Sequence, residues 1–169
     1  DPVLLSKLSD DKPMSVIVSA MNSHTSDLAI PLVGMKILTA LFCVKDAHSQ
    51  AAKSFCENGG VTLLKNLFDK YGNDTNNYLA VLNCMSALTY NCKDPADRVN
   101  EQGIIPDVLS RIKTFDKSYD ILLCSIRLMY NLVYSNKSAQ DVFMRCDGLE
   151  VVVTRLSDSR LEFNACKIV

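Results

Sequence analysis

Hydrophobic residues in this 169-residue chain recur at the spacing of an α-helix, and three of the apolar runs begin just after glycine. In ENGGVTLLKNL, residues 57–67, the apolar side chains Val61, Leu64 and Leu67 follow two glycines at intervals of three. Such spacing places side chains on one face of a helix, and glycine ends a preceding helix without steric cost. The same order recurs in EQGIIPDVLSRI, residues 101–112, and in RCDGLEVVVTRL, residues 145–156. The pattern therefore predicts a series of helices.

The recurrence has a fixed period. A step of 44 residues links Leu64 to Val108 and Val108 to Val152. A second set, in the longest predicted helices, follows steps of 47 and then 44, as in Ile37, Cys84 and Leu128 or in Leu41, Leu88 and Leu132. A period of roughly 20–50 residues is the signature of a repeat protein. We therefore predict an all-α chain built from a repeated unit.

Each unit is predicted to contain three helices: a short one that ends at the glycine, a second one like VTLLKNLF, and a long third one like DILLCSIRLMYNLVY. Helix-start signals place the short helices after Asp46, at Asp94 with Pro95, and at Ser138. The successive units are residues 1–46, 47–94, 95–137 and 138–169, the last one truncated, and all belong to a single segment. The β-branched stretch LEVVV is typical of a strand, but its alignment with VTLLK favours a helix.

Charge and cysteine content indicate the environment of the chain. Eighteen basic and nineteen acidic side chains give a net charge of −1, which provides no global attraction for nucleic acid. Seven scattered cysteines indicate a reducing, intracellular setting rather than a disulfide framework. No apolar run reaches the roughly 18 residues of a membrane span, so we predict a cytoplasmic protein without membrane insertion. The first residue is Asp, which leaves open a lipid-anchored form with an upstream signal.

The sequence contains no constellation typical of catalysis. The two histidines, His24 and His48, lie in separate polar segments and are expected to face solvent. No CxxC or HExxH motif occurs, and Cys84 and Cys92 have no histidine nearby, so we expect no zinc site. The chain is therefore predicted to be non-enzymatic and to use no cofactor.

Three helices in each unit of about 44 residues, a glycine before the second helix, and third helices carrying LMYNL, MSAL and LTAL resemble armadillo repeats. The resemblance covers almost the whole chain, and it is closer than the likeness to HEAT repeats, whose units have two helices. It implies a right-handed α-solenoid in which the third helices line a concave groove, where armadillo proteins usually bind their partners.

The resemblance also marks positions in that groove. Armadillo proteins that bind nuclear import signals carry a Trp, and an Asn four residues later, on successive third helices. This chain has no Trp, so the resemblance implies that import signals are not its ligand. The positions equivalent to the Trp are Lys36, Asn83, Arg127 and Lys167, and those equivalent to the Asn are Ala40, Ala87 and Asn131.

Three of the four Trp-equivalent residues are basic, which suits an acidic or phosphorylated protein segment and is similar in character to the groove of beta-catenin. Arg127 is able to bind a carboxylate or phosphate through two parallel hydrogen bonds, and amide side chains pair with a peptide backbone. The alternative is that these residues are polar only because they face solvent. The groove candidates are Lys36, Asn83, Arg127, Asn131 and Lys167.

A second group of candidates is aromatic. Five tyrosines lie in or beside the third helices: Tyr78, Tyr90, Tyr119, Tyr130 and Tyr134. The step of 44 relates Tyr90 to Tyr134, which predicts a small stack at the ends of adjacent helices. Packing in the core or at its edge is the favoured role, and a ligand site is the alternative.

These observations predict a scaffold that binds a partner segment in its groove, and the family analogy points to complexes that position organelles, motors or cytoskeletal elements. The alternative is a regulator of a small GTPase or chaperone that acts through convex or edge surfaces. Residues 161–169 match only the first part of a third helix, so we expect the C-terminal edge to pack against a further unit or against a second copy of the chain.

Overall fold

A computed structural model describes the chain at residue 7 and over residues 10–115, 118–134 and 136–155. This part contains ten α-helices and no strand. The all-α prediction is confirmed for it, including the β-branched stretch of residues 149–153, which lies within a helix.

The helices follow one another in the predicted order of short, second and third. A second and a third helix come first, α1 (Asp11–Ser23) and α2 (Ala29–Phe42). Two full sets follow: α3 (His48–Glu57), α4 (Gly60–Tyr71) and α5 (Thr75–Thr89), then α6 (Lys93–Glu101), α7 (Ile104–Thr114) and α8 (Tyr119–Val133). After these come α9 (Lys137–Arg145) and α10 (Gly148–Arg155). The third helix predicted for the last unit lies outside the described residues, and the division into four units stays a prediction.

All three starts of the short helices differ from the predicted signals. α6 begins at Lys93 after the N-cap Cys92, so Asp94 and Pro95 lie within its first turn. The N-cap of α9 is Asn136 rather than Ser138, and Asn136 Oδ1 accepts a hydrogen bond from the main-chain N–H of Ala139 over 2.9 Å. The N-cap of α3 is Ala47, which has no capping side chain, rather than Asp46. A cap contributes only about 1 kcal/mol, and Asn caps as well as Ser, so tertiary packing decides between neighbouring candidates.

The junctions between short and second helices share one residue in the left-handed region, but glycine supplies it only twice. Gly59 and Gly103 have φ values of 78° and 70°. At the third junction the equivalent residue is Asp147, with a φ of 56°. Aspartate tolerates this region better than most residues do. The glycine that the sequence pattern pointed to, Gly148, is instead the first residue of α10.

Residues that the predicted repeat step relates to one another are equally buried. Leu64, Val108 and Val152 lie on the second helices α4, α7 and α10, and each is at most 1% exposed. On the third helices α2, α5 and α8, the equivalent residues Leu41, Leu88 and Leu132 are buried to the same extent. The same steps along the chain therefore reach the same place in the core.

The third helices lie side by side, with α5 between α2 and α8 in the two most extensive helix contacts of the described chain. The Cys84 thiol of α5 interacts with Thr39 of α2, and burial raises the pKa of that thiol. On the other side, Cys124 Sγ of α8 donates to Asn83 Oδ1 of α5 over 3.0 Å. α5 has no charged residue in its 15 positions, as expected for a helix covered on both sides.

Candidate partner-binding groove

An open groove of about 920 Å³ extends over the row of third helices. Its lining comes from the C-terminal halves of α2, α5 and α8, from the α2–α3 connection, and from the start of α3. Equivalent parts of the third helices of successive units form the groove, so it is a property of the repeat rather than of one unit.

Three of the five predicted groove residues lie together in this lining: Asn83 on α5 and Arg127 and Asn131 on α8. Lys36 is exposed on α2 but does not line the groove. The residues of α2 that line the groove are instead Thr39 and Phe42, nearer to the C-terminal end of this helix. Lys167 lies outside the described residues.

The side chain of Asn131 joins two third helices. Its Nδ2 donates to the main-chain oxygen of Ser86 over 2.9 Å and to Thr89 Oγ1 over 3.2 Å, both on α5. A main-chain oxygen only accepts hydrogen bonds, so this contact fixes the amide with its NH₂ group toward α5. Oδ1 is therefore the atom that Asn131 offers to a partner.

Asn83 has the opposite orientation. Its Oδ1 accepts the hydrogen bond from Cys124 Sγ, which leaves the NH₂ group as the part that it offers to the groove. Burial raises the pKa of Cys124 to about 11, although the nearby Arg127 cation lowers it. The thiol therefore keeps its proton near neutral pH and remains a donor. One amide in the groove thus presents donors and the other an acceptor.

The full charges in the groove are positive. Arg127 and Lys45 belong to its lining, and none of the described residues that line it is Asp or Glu. Arg127 is exposed on α8, and Lys45 is exposed in the connection between α2 and α3. A chain with a net charge near zero thus presents a local cationic surface here.

His48 is a groove residue that the sequence pattern does not indicate. It is half-buried rather than solvent-facing as predicted. Its Nε2 lies 3.2 Å from the main-chain oxygen of Leu88 and, because that oxygen only accepts, carries the proton. Its ring also packs edge-on against Phe42, with 6.3 Å between the ring centroids. These contacts connect the start of α3 to the ends of α2 and α5.

The predicted tyrosine group separates into core and surface members. Tyr78 is fully buried, and its ring centroid lies 5.3 Å from those of both Phe68 and Phe115. Tyr90 and Tyr134 are 58% and 63% exposed, so neither of these two side chains lies in the core. The ring of Tyr134 pairs with that of Tyr130, over 5.6 Å, rather than forming the predicted stack with Tyr90. Tyr90 and Tyr130 line the groove, whereas Tyr119 is half-buried.

The same described ranges also contain thiols and other side chains of the types that bind metal ions. The six cysteines there are free thiols. No group of His, Cys, Asp and Glu side chains in these ranges is arranged to hold a metal ion. None of their helices combines the length and the apolar character needed to cross a membrane.

No family model and no curated protein matches the chain. Two crystal structures of engineered proteins, both from the Northeast Structural Genomics Consortium, are similar to it. One has a TM-score of 0.78 and 17% sequence identity over 92% of this chain, and the other has 0.77 and 16% over 97%. The chain spans 36% of the first protein's length and 68% of the second's. Likeness at this level of identity shows an all-helical, repeat-like fold and nothing about ligands.

Proposed function

We propose that the chain is a non-enzymatic armadillo-type solenoid that binds a segment of a partner protein in the groove over α2, α5 and α8. The groove's composition carries the proposal, because an open surface spanning three equivalent helices presents cations without a carboxylate in its described lining. The constant register of the three-helix units and the left-handed residue at each junction support the armadillo type.

The charge of the groove points to an acidic or phosphorylated segment. Arg127 binds a carboxylate or phosphate through two parallel hydrogen bonds, and Lys45 adds a second positive charge. The C-terminal ends of the third helices oppose this, since each carries the equivalent of about half a negative charge, but that effect fades within one turn. The two full charges of Lys45 and Arg127 lie at the ends of long side chains and reach farther into the groove, so its net charge is positive.

A second candidate function, regulation of a small GTPase or chaperone through an edge surface, is favoured by an apolar face on α1 and α2. Val33 and Ile37 of α2 are 57% and 42% exposed, and they line an apolar hollow of about 340 Å³ together with Ile17 of α1. The equivalent residues of α8, Cys124 and Leu128, are buried in the row of third helices. The α2 face is therefore shaped to be covered by another helix, and an edge-binding partner would supply that helix.

Fluorescence anisotropy with a labelled acidic peptide tests the groove. The probe alternates glutamate and serine and is used with and without phosphoserine. We expect Lys45→Glu with Arg127→Glu to lower its affinity by about tenfold or more, because both cations become repulsive. The matched control is Lys12→Glu with Lys113→Glu, which makes the same change in net charge at exposed positions outside the groove lining.

The control should leave the affinity almost unchanged, and salt should weaken wild-type binding because it screens exposed charges. Equal losses in the two double variants would show non-specific attraction and would remove the proposal. Binding that survives the groove variant but is abolished by Val33→Asp with Ile37→Asp would favour the edge surface instead.

A further inference from the structure

Tyr90 and Tyr134 occupy the same place in consecutive units. They are the C-cap residues of α5 and α8, and their backbones have nearly the same conformation, with φ and ψ of −64° and 118° for Tyr90 and −62° and 115° for Tyr134. Both rings are more than half exposed. Tyr90 lines the groove, whereas Tyr134 lies outside its described lining and packs beside the lining residue Tyr130.

The distance between the two sites selects a ligand conformation. Packed helices lie about 8–10 Å apart, so equivalent points on α5 and α8 are separated by about that distance. A polyproline II helix repeats the same face every three residues, or about 9.3 Å. A β-strand repeats a face every two residues, at about 6.6 Å or 13 Å, and therefore misses one of the two sites.

An α-helix also presents the same face after seven residues, about 10.5 Å along its axis. A helical ligand, however, docks through an apolar stripe into an apolar groove. The only aliphatic side chain in the described lining of this groove is Ala87. The lining instead mixes aromatic rings with polar side chains such as Ser86 and Asn131 and has no aliphatic stripe, so it does not suit a helical ligand.

The hydrogen-bonding groups of the groove also fit a ligand in the polyproline II conformation. Polyproline II leaves its carbonyl oxygens without internal partners, and each proline lacks an N–H, so a proline-rich chain mainly needs donors. The groove supplies donors in the NH₂ group of Asn83, the side chains of Lys45 and Arg127, and the tyrosine hydroxyls. Acidic residues flanking the prolines would pair with the two cations.

We infer that the segment bound in this groove is a polyproline II helix flanked by acidic residues. Its prolines lie three residues apart, and their rings pack on Tyr90 and on the Tyr130–Tyr134 pair. This inference rests on the proposed function of the groove and names the sequence class and conformation of its ligand.

Fluorescence anisotropy with two labelled probes tests it: an oligoproline flanked by glutamates, and a glycine–serine peptide of equal length with the same glutamates. The wild-type chain should bind the oligoproline about tenfold more tightly or better. Tyr90→Ala with Tyr134→Ala should remove that preference, whereas Phe at both positions should keep most of it, because the rings make the contact. Met144→Ala, at a residue 57% exposed on α9, is the control and should change nothing.

Equal wild-type affinity for the two probes, both weakened by the Lys45 and Arg127 reversals, would overturn the inference while leaving the groove function in place. If neither the tyrosine variant nor the Lys45 and Arg127 reversals change the affinity for the oligoproline, both the inference and the proposed function of the groove are overturned. Tighter binding of an acidic, leucine-rich helical peptide than of the oligoproline would also overturn the inference. Thermal melting by circular dichroism checks that the tyrosine variants fold.

Discussion

Phe55 of α3 lies directly against Gly60 at the start of α4: a Cβ on Gly60 would come within 2.4 Å of the Phe55 ring. Phe143 and Gly148 repeat this relationship at 2.5 Å. In the unit between them, the same two positions carry a smaller and a larger side chain, both fully buried, Val99 and Ile104. The repeated site is therefore filled in every unit. The larger side chain comes from the short helix in two units and from the second helix in the middle unit.

This exchange predicts strong coupling between positions 55 and 60. Gly60→Ile alone should lower the free energy of unfolding by about 3 kcal/mol, because it overlaps a buried ring. Phe55→Val alone should lower it by about 1–3 kcal/mol through the cavity that it leaves. The double variant copies the middle unit and should recover about 2 kcal/mol relative to the sum of the two losses.

Urea unfolding followed by circular dichroism measures all four chains of this cycle. Gly59→Ala is a useful control, since nothing lies within 4 Å of its Cβ position and only its φ of 78° opposes the change. Losses for positions 55 and 60 that add to within about 0.5 kcal/mol would show that the two sites do not share one volume.

Asn131 is predicted to stabilise the row of third helices more than it binds a ligand. Asn131→Ala removes the hydrogen bonds to Ser86 and Thr89 and should lower the free energy of unfolding by about 1–3 kcal/mol. Asn83→Ala removes one weak bond from a thiol and should cost less than about 1 kcal/mol. Urea unfolding compares the two variants, and a larger loss for Asn83→Ala would reverse the roles assigned to these amides.

The buried thiols predict a loss of stability in alkaline solution. Burial raises the pKa of Cys56 and Cys84 from 9.0 to about 12, and that of Cys124 to about 11. Above pH 9.0 the thiols of the unfolded chain lose protons that the folded chain keeps. The free energy of unfolding therefore has its full contribution from the protonated thiols below that pH, and it falls as pH rises toward about 12. The fall is at most about 1.4 kcal/mol per pH unit for each thiol.

Urea unfolding at increasing pH checks this slope, and Cys84→Val should make it shallower because one titrating thiol is gone. A slope that is the same in wild type and variant would contradict the assignment to Cys84. In the native state, the exposed Cys43 should react with a thiol reagent well before the three buried cysteines do.

The helices and their register could be predicted from the sequence because both depend on local spacing that the chain repeats. A constant step of 44 residues relates Leu64, Val108 and Val152, and all three are buried alike. The shift at the third junction could not be found in this way. At these junctions a glycine either adopts the left-handed backbone conformation or leaves space for an aromatic ring. Gly148 only leaves space for a ring, because Asp147 adopts the left-handed conformation.

The groove could be predicted only in part, for a related reason. The repeat spacing predicts Asn83, Arg127 and Asn131 correctly but also predicts Lys36, whereas α2 contributes residues nearer to its C-terminal end, Thr39 and Phe42. The contact of His48 with Leu88 joins residues 40 positions apart. A pattern of local spacing contains no signal for such a contact.

Site-specific photo-crosslinking in cells tests most directly whether the groove over α2, α5 and α8 binds the partner. A benzophenone amino acid replaces Cys43, which is exposed and lines the groove, or Ser110, which is exposed on α7 outside its lining. The account predicts a covalent partner adduct from position 43 that disappears with the Lys45 and Arg127 reversals, and none from position 110. An adduct from position 110, with none from position 43, would contradict it.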